Sequence, residues 1–230
     1  DYYSQEGEVS DISNWHGKGA GGLGLSGNVD KDTLDKLLQG KIGEQQLGVV
    51  RDGKLQHRPG WDLTFSAPKS VSILALVGKD QRLIQAHNQA VKTSLNYIEK
   101  HYLHTRSYID NKLTRVNTNS AIIAQFQHQV SRELDPQLHT HNLLINATYS
   151  DNKYKSIEPK KIYQQTLHSG LIYRNALAKN VIELGYNIEA KDKGLFEIKG
   201  LDSAITKQFS KRREQVLEAA KEHGFTSSAG

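Results

Sequence analysis

The strongest constraint on the fold is a pair of alternating runs joined by the seven residues SRELDPQ (131–137). In SAIIAQFQHQV (120–130), Ile122, Ala124, Phe126 and His128 fall on one side of an extended chain. In LHTHNLLINATY (138–149), His139, His141, Leu143 and Ile145 do the same, because side chains alternate across a strand. The link is short and carries Asp-Pro, so the two runs pair as an antiparallel hairpin. Folding that hairpin brings His128 towards His139 and His141.

Histidines on a strand face serve either as half-buried polar groups bonded to backbone or as metal ligands. The i, i+2 spacing aims two imidazoles at one point, and a third from the neighbouring strand makes a three-histidine face with coordination positions left open. Open positions mark a catalytic or ligand-binding metal rather than a structural one. An iron facial triad fits less well, since it needs two histidines and a carboxylate, and Thr140 separates the pair with no acidic residue on that face. The chain holds no cysteine, which excludes disulfides, thiolate zinc sites and a cysteine nucleophile. A net charge of +5 over 230 residues is compatible with nucleic acid without being diagnostic.

No run approaches the ~18 apolar residues of a membrane span, and the opening DYYSQEGEVS has neither the basic nor the apolar region of a signal peptide. A soluble protein is expected. Methionine is absent even at position 1, so the chain is expected to start downstream of a true initiator.

Residues 1–29, including GKGAGGLGLSG at 17–27, read as a loop. A phosphate-binding P-loop would require GK[ST], where this segment has GKGA. From Asp30 a capped short helix runs through Leu34, Leu37 and Leu38 to Gly40. A strand is expected at 61–65, with Trp61, Leu63 and Phe65 on one face and Asp62 and Thr64 on the other. Ser66 is expected to cap the next helix, with Pro68 in its first turn. There follow a helix at 80–101 and a hairpin of 105–110 with 113–117 around Asp110 and Asn111. A strand near 153–157, a helix after Pro159, strand pieces within 186–198 and a charged helix at 202–222 complete the reading. The sum is an α+β fold: a central antiparallel sheet with helices mainly on one face and the three-histidine metal site on the other.

The pattern H-x3-R-x2-DPQLHTH-x4-N, from His128 through Arg132, Asp135, Pro136, His139 and His141 to Asn146, resembles the metal motif of conjugative relaxases of the TrwC/TraI type, within the HUH endonucleases. HRPGWDLTFSAPKSVS at 57–72 and DYYSQEGE…NWHGKGAGGLGLSG at the start resemble the same family, and the similarity covers nearly the whole chain. The resemblance implies a strand-specific nicking and joining activity on single-stranded DNA at a plasmid transfer origin. A tyrosine would attack one phosphodiester, keep the 5′ phosphate as phosphotyrosine and release a 3′ hydroxyl. His128, His139 and His141 would hold a divalent ion, Mg or Mn in the first instance and Zn or Ni as alternatives.

By the same resemblance Asp62 supports a metal histidine close to the tyrosine, fixing the ring's tautomer and raising its basicity. Only Tyr2 and Tyr3 stand at the N-terminus, where the family has two tyrosine pairs. They align with the downstream pair, so a principal nucleophile is expected before Asp1. Read without the family, a Tyr-Tyr pair in a loop serves packing. Lys69, Arg132, Lys160 and Lys161 are the DNA-binding candidates, with Lys211, Arg212 and Arg213 as further basic residues. Residues 1–230 are expected to be one relaxase domain, truncated at its N-terminus, with a helicase downstream. The family implies relaxosome accessory proteins and a coupling protein as partners, no membrane insertion, and a bacterial cytoplasmic setting. Two rivals stand beside this reading, a rolling-circle replication initiator nuclease and a non-catalytic origin-binding fragment.

Overall fold

The expected hairpin forms: strands Ile123–Val130 and Pro136–Ile145 lie side by side at the centre of one antiparallel sheet. The structure, a computed structural model, describes residues 12–210. Ser13–His16 flanks the hairpin on one side and Gly60–Asp62 on the other, and the two-residue strand Phe65–Ser66 pairs with Pro136–Ile145. The described chain groups into two compact units. The first holds the chain up to Phe65 with Val91–Gln127 and Thr140–Tyr173; the second holds Ser66–Ala90, His128–His139 and the chain from Arg174.

In the first unit, the register pairs Trp15 with Ala124 and His16 with Ile123, and Leu143 with Asp62 and Ile145 with Gly60. The alternation read from the sequence is realised. Ile122, Ala124, Leu143 and Ile145 share one buried cluster with Trp15, Ala20, Leu37 and Ile42. Ile123 and Leu144, which point the opposite way, are also fully buried. Each such aliphatic side chain contributes about 1.5–3 kcal/mol on burial, so this sheet is anchored from both faces. The helix Lys31–Leu38 begins as expected, with the Asp30 carboxylate accepting the Thr33 N–H. The hairpin His104–Ile109 with Lys112–Asn117 turns at Asp110 and Asn111, both at positive φ, as a two-residue primed turn requires.

Four expectations are corrected. The glycine-rich N-terminal stretch is not all loop, since it contains the strand Ser13–His16 and a short helix, Lys18–Gly22. Two of its glycines, Gly17 and Gly19, serve close packing: a Cβ on Gly17, at φ +102, would lie 2.3 Å from the Ala121 carbonyl oxygen. The strand at 61–65 is interrupted after Asp62, and at the break the Asn142 side chain donates to the Leu63 carbonyl at 2.7 Å. Ser66 lies in a strand and caps nothing; Pro68 is the N-cap of helix Lys69–Leu76, with no side-chain cap bond. The C-terminal helix, capped by Asp202, ends at Gln208, and the expected continuation past residue 210 lies outside the described residues. The long helix Gln81–Tyr102 matches expectation, and the helix expected after Pro159 forms as two, Lys160–Gln164 and Thr166–Glu183. Among the described residues, no helix is long and apolar enough to cross a membrane.

Candidate functional site

The break after Asp62 has a chemical consequence in the first unit. With the strand ending there, Asp62 and Thr64 both turn to the His141 ring. His141 Nδ1 lies 2.7 Å from Asp62 Oδ2 and 3.0 Å from Thr64 Oγ1, and the Thr64 hydroxyl donates to Asp62 Oδ1 at 3.1 Å. A carboxylate only accepts, so Nδ1 carries a proton and Nε2 is the ring nitrogen left for a ligand. The Asp62 and His141 side chains are 29% and 16% exposed, open enough for a ligand to reach the ring.

In the second unit, His139 is held in the same tautomer by a different device. Its Nδ1 donates to the Gln137 carbonyl at 2.9 Å. The His128 and His139 rings stack, with centroids 5.3 Å apart and planes inclined by 23°. Among the described residues, no group of three or more histidine, aspartate or glutamate side chains stands close enough to hold one ion. Taken singly, each of these two imidazoles, His139 and His141, has the chemistry of a ligand for a divalent ion, since each donates Nδ1–H to a fixed acceptor and leaves Nε2 for a ligand. That arrangement is the usual support of a metal-binding imidazole.

The other candidates fall into distinct settings. Tyr2, Tyr3, Lys211, Arg212 and Arg213 lie outside the described residues. Arg132 is exposed in the hairpin link, and Lys160 and Lys161 are exposed on the helix Lys160–Gln164. Lys69 is turned inward: its Nζ donates to the Pro136 carbonyl at 3.0 Å. Burial lowers its pKa, opposed by the charges of Asp135 and Glu197. A buried histidine absent from the sequence reading, His87, lies close enough to feel the charge of His139. Its pKa is lowered to about 3, by burial first and by His139 second.

Two further groups escaped the sequence reading. Thr64 was assigned to the polar face, but no pattern showed that it would share His141 with Asp62. The second is an exposed aromatic–arginine group, in which Trp61 Nε1–H donates to Tyr163 Oη at 2.7 Å and the Arg58 guanidinium lies 5.5 Å from the Trp61 ring centre. Its members are 102 residues apart in sequence, beyond the reach of any local signal.

A family model described as TrwC relaxase matches residues 1–230. The multifunctional conjugation protein TraI of Escherichia coli (strain K12) is 39% identical over 225 residues, covering 93% of this chain and 13% of that protein. The chain therefore spans 13% of the length of this curated relative. Among solved structures, the metal-bound conjugative relaxase TrwC in complex with oriT DNA matches with a TM-score of 0.90 and 38% identity, over 100% of this chain and 80% of that one. TrwC complexed with a 27-mer DNA comprising the recognition hairpin and the cleavage site gives a TM-score of 0.87 at 39% identity, over 95% and 79% of the two chains.

Proposed function

The chain belongs to the TrwC relaxase family, and from that premise we propose that it nicks and rejoins single-stranded DNA at a plasmid origin of transfer. The observation that carries the reading is the contact of Asp62 with His141 at 2.7 Å. It gives the His-x-His motif the carboxylate-supported imidazole that a metal-assisted phosphoryl transfer needs. His128, His139 and His141 are the residues to hold a divalent ion, Mg or Mn before Zn or Ni. Bound there, such an ion supplies Lewis-acid charge to the non-bridging oxygens of the scissile phosphate.

The chain's own residues do the rest. A tyrosine hydroxyl, from Tyr2 or Tyr3 or from a residue before Asp1, attacks phosphorus in line and loses its proton as the P–O bond forms. The 3′ oxygen leaves and is protonated, so the 5′ phosphate stays on the enzyme as a phosphotyrosine. Attack by a 3′ hydroxyl on that ester reverses the step and rejoins the strand. A phenol with a pKa of ~10 is a weak nucleophile at neutral pH, which is why a charged site beside it is required.

Arg132, Lys160 and Lys161 are suited to phosphate contacts. Trp61, Arg58 and Tyr163 offer the aromatic and guanidinium faces on which unpaired bases stack. Lys69, whose ammonium is bonded to Pro136, acts within the fold rather than on phosphate. In the whole protein, residues 1–230 would form one nicking and joining domain ahead of a helicase. That protein would work with relaxosome accessory proteins and a coupling protein in a bacterial cytoplasm. Family membership favours this over a rolling-circle initiator.

The test is a mass spectrum after incubation with single-stranded oligonucleotides tiling the cognate transfer origin, with Mn or Mg and an EDTA control. A metal-dependent adduct mapped to Tyr2 or Tyr3 supports the reading and identifies the nucleophile. Tight binding with an adduct only after upstream extension moves the nucleophile before Asp1. Binding with no adduct in either form leaves a non-catalytic origin-binding fragment.

A further inference from the structure

The SAPKSVS segment (66–72) has no step of its own in this chemistry, yet its polar groups are engaged within the second unit. Ala67 N–H donates to the Leu138 carbonyl at 2.9 Å. The Gln137 side-chain amide donates to the Ala67 carbonyl at 3.3 Å. Lys69 Nζ donates to the Pro136 carbonyl at 3.0 Å, and Ser72 Oγ accepts the Leu138 N–H at 3.1 Å while donating to the Pro68 carbonyl at 3.1 Å. Leu138 is fully buried, so its N–H needs a partner inside the protein. These bonds fall on three consecutive residues, Pro136, Gln137 and Leu138. The next residue is His139, whose ring is oriented by the Gln137 carbonyl at 2.9 Å.

We propose that Lys69 and Ser72 are positioning residues for His139. By fixing the backbone of residues 136–138 they hold the Gln137 carbonyl where it captures His139 Nδ1–H and leaves Nε2 as the ligand nitrogen. Neither side chain touches DNA or the reacting phosphate in this scheme. Their effect passes through the orientation of one imidazole, as a tenfold or larger loss of metal affinity on removing such support illustrates elsewhere. Ser70 provides an internal contrast on the same helix. Its N–H and hydroxyl donate to the Glu197 carboxylate, and its Oγ accepts the Ile198 N–H at 2.8 Å. It thus ties the helix to the Phe196–Ile198 strand and leaves residues 136–138 alone. The inference rests on the reading of His139 as a metal ligand.

The experiment measures Mn2+ affinity by electron paramagnetic resonance, together with the His139 ring nitrogens by 15N NMR in the metal-free protein. The variants are Lys69→Met, Ser72→Ala, Ser70→Ala and His139→Ala. Lys69→Met and Ser72→Ala are expected to weaken Mn2+ binding by about tenfold and to mix the two His139 tautomers. Lys69→Arg and Ser72→Thr are expected to recover both readouts. Ser70→Ala is expected to lower the thermal midpoint without changing Mn2+ affinity. If Lys69→Met folds, binds Mn2+ like the parent and keeps a single Nδ1–H tautomer, the positioning role is overturned, whatever happens to Ser72→Ala. If His139→Ala itself keeps the parent's Mn2+ affinity, it is the metal reading that fails.

Discussion

Asp62 and His141 are 79 residues apart in sequence and 2.7 Å apart in the structure, and that contact decides what the imidazole can do. A carboxylate accepting Nδ1–H orients the ring and leaves Nε2 as the nitrogen for a ligand. Asp62→Asn keeps an oxygen that can accept the proton but removes the charge. It is expected to reduce Mn2+ affinity by roughly 10–100-fold, read by titration, and to reduce nicking rate at subsaturating metal in step. Thr64→Val removes only the hydroxyl that bonds Asp62 Oδ1 at 3.1 Å, so its effect should be smaller and in the same direction. Equal Mn2+ affinities for parent and Asp62→Asn would remove Asp62 from the site. The histidines were legible because strand alternation is local. The aspartate's contact with a histidine was expected only through the family motif, since its partner is fixed by strand pairing. Thr64 was legible only as a neighbour of Asp62 on the polar face, because its contact with His141 is made across to another strand.

At the scale of the element, glycine separates what sequence could and could not show. The hairpin of 123–130 with 136–145 was readable, since both strands are long enough to display the period of two. The strand Ser13–His16 and the helix Lys18–Gly22 were not, since four or five residues span too little of either period. The glycines there read as loop, whereas two of them are demanded by a neighbour about a hundred residues on. A Cβ on Gly17 would sit 2.3 Å from Ala121 O, while one on Gly21 would meet nothing within 4 Å. Gly17→Ala therefore combines a backbone clash with an unfavourable φ and should destabilise the protein by about 3 kcal/mol or more. Gly21→Ala, in the same short helix, should stabilise it by about 0.4–1 kcal/mol through the unfolded chain. Gly60→Ala belongs with Gly17, because its Cβ would lie 2.2 Å from the Leu144 carbonyl oxygen and push the Asp62 strand from its partner. Urea unfolding of the three variants checks the order. A Gly17→Ala protein as stable as Gly21→Ala would mean that the segment is the open loop that its composition suggests.

For the whole molecule, buried histidines set how stability depends on pH. His16 and His57 are both pushed below the ordinary 6.5, by burial first in each case, with Glu99 opposing at His16. His87 is pushed down to about 3 by burial and by His139. A base whose folded pKa is depressed binds its proton better in the unfolded chain. Its contribution to stability is full above 6.5 and is lost as pH falls below 6.5 towards the folded value. For His87 that window runs from 6.5 to about 3, with a limiting slope of about 1.4 kcal/mol per pH unit for one proton. His57, being more exposed, should add less. The carboxylate of Asp80, held well below its ordinary range by hydrogen bonds from Arg82 and then Tyr186, acts only below about pH 4, and steepens the loss there. Urea midpoints measured from pH 7 to 4.5 should therefore fall steadily, and His87→Gln should flatten that limb by up to one proton while lowering stability at pH 7. EDTA must be present throughout. Acid release of any bound divalent ion would otherwise add a second, binding-linked loss. Midpoints that rise as pH falls from 6.5 would mean that these histidines are charged and paired in the fold, contrary to their burial.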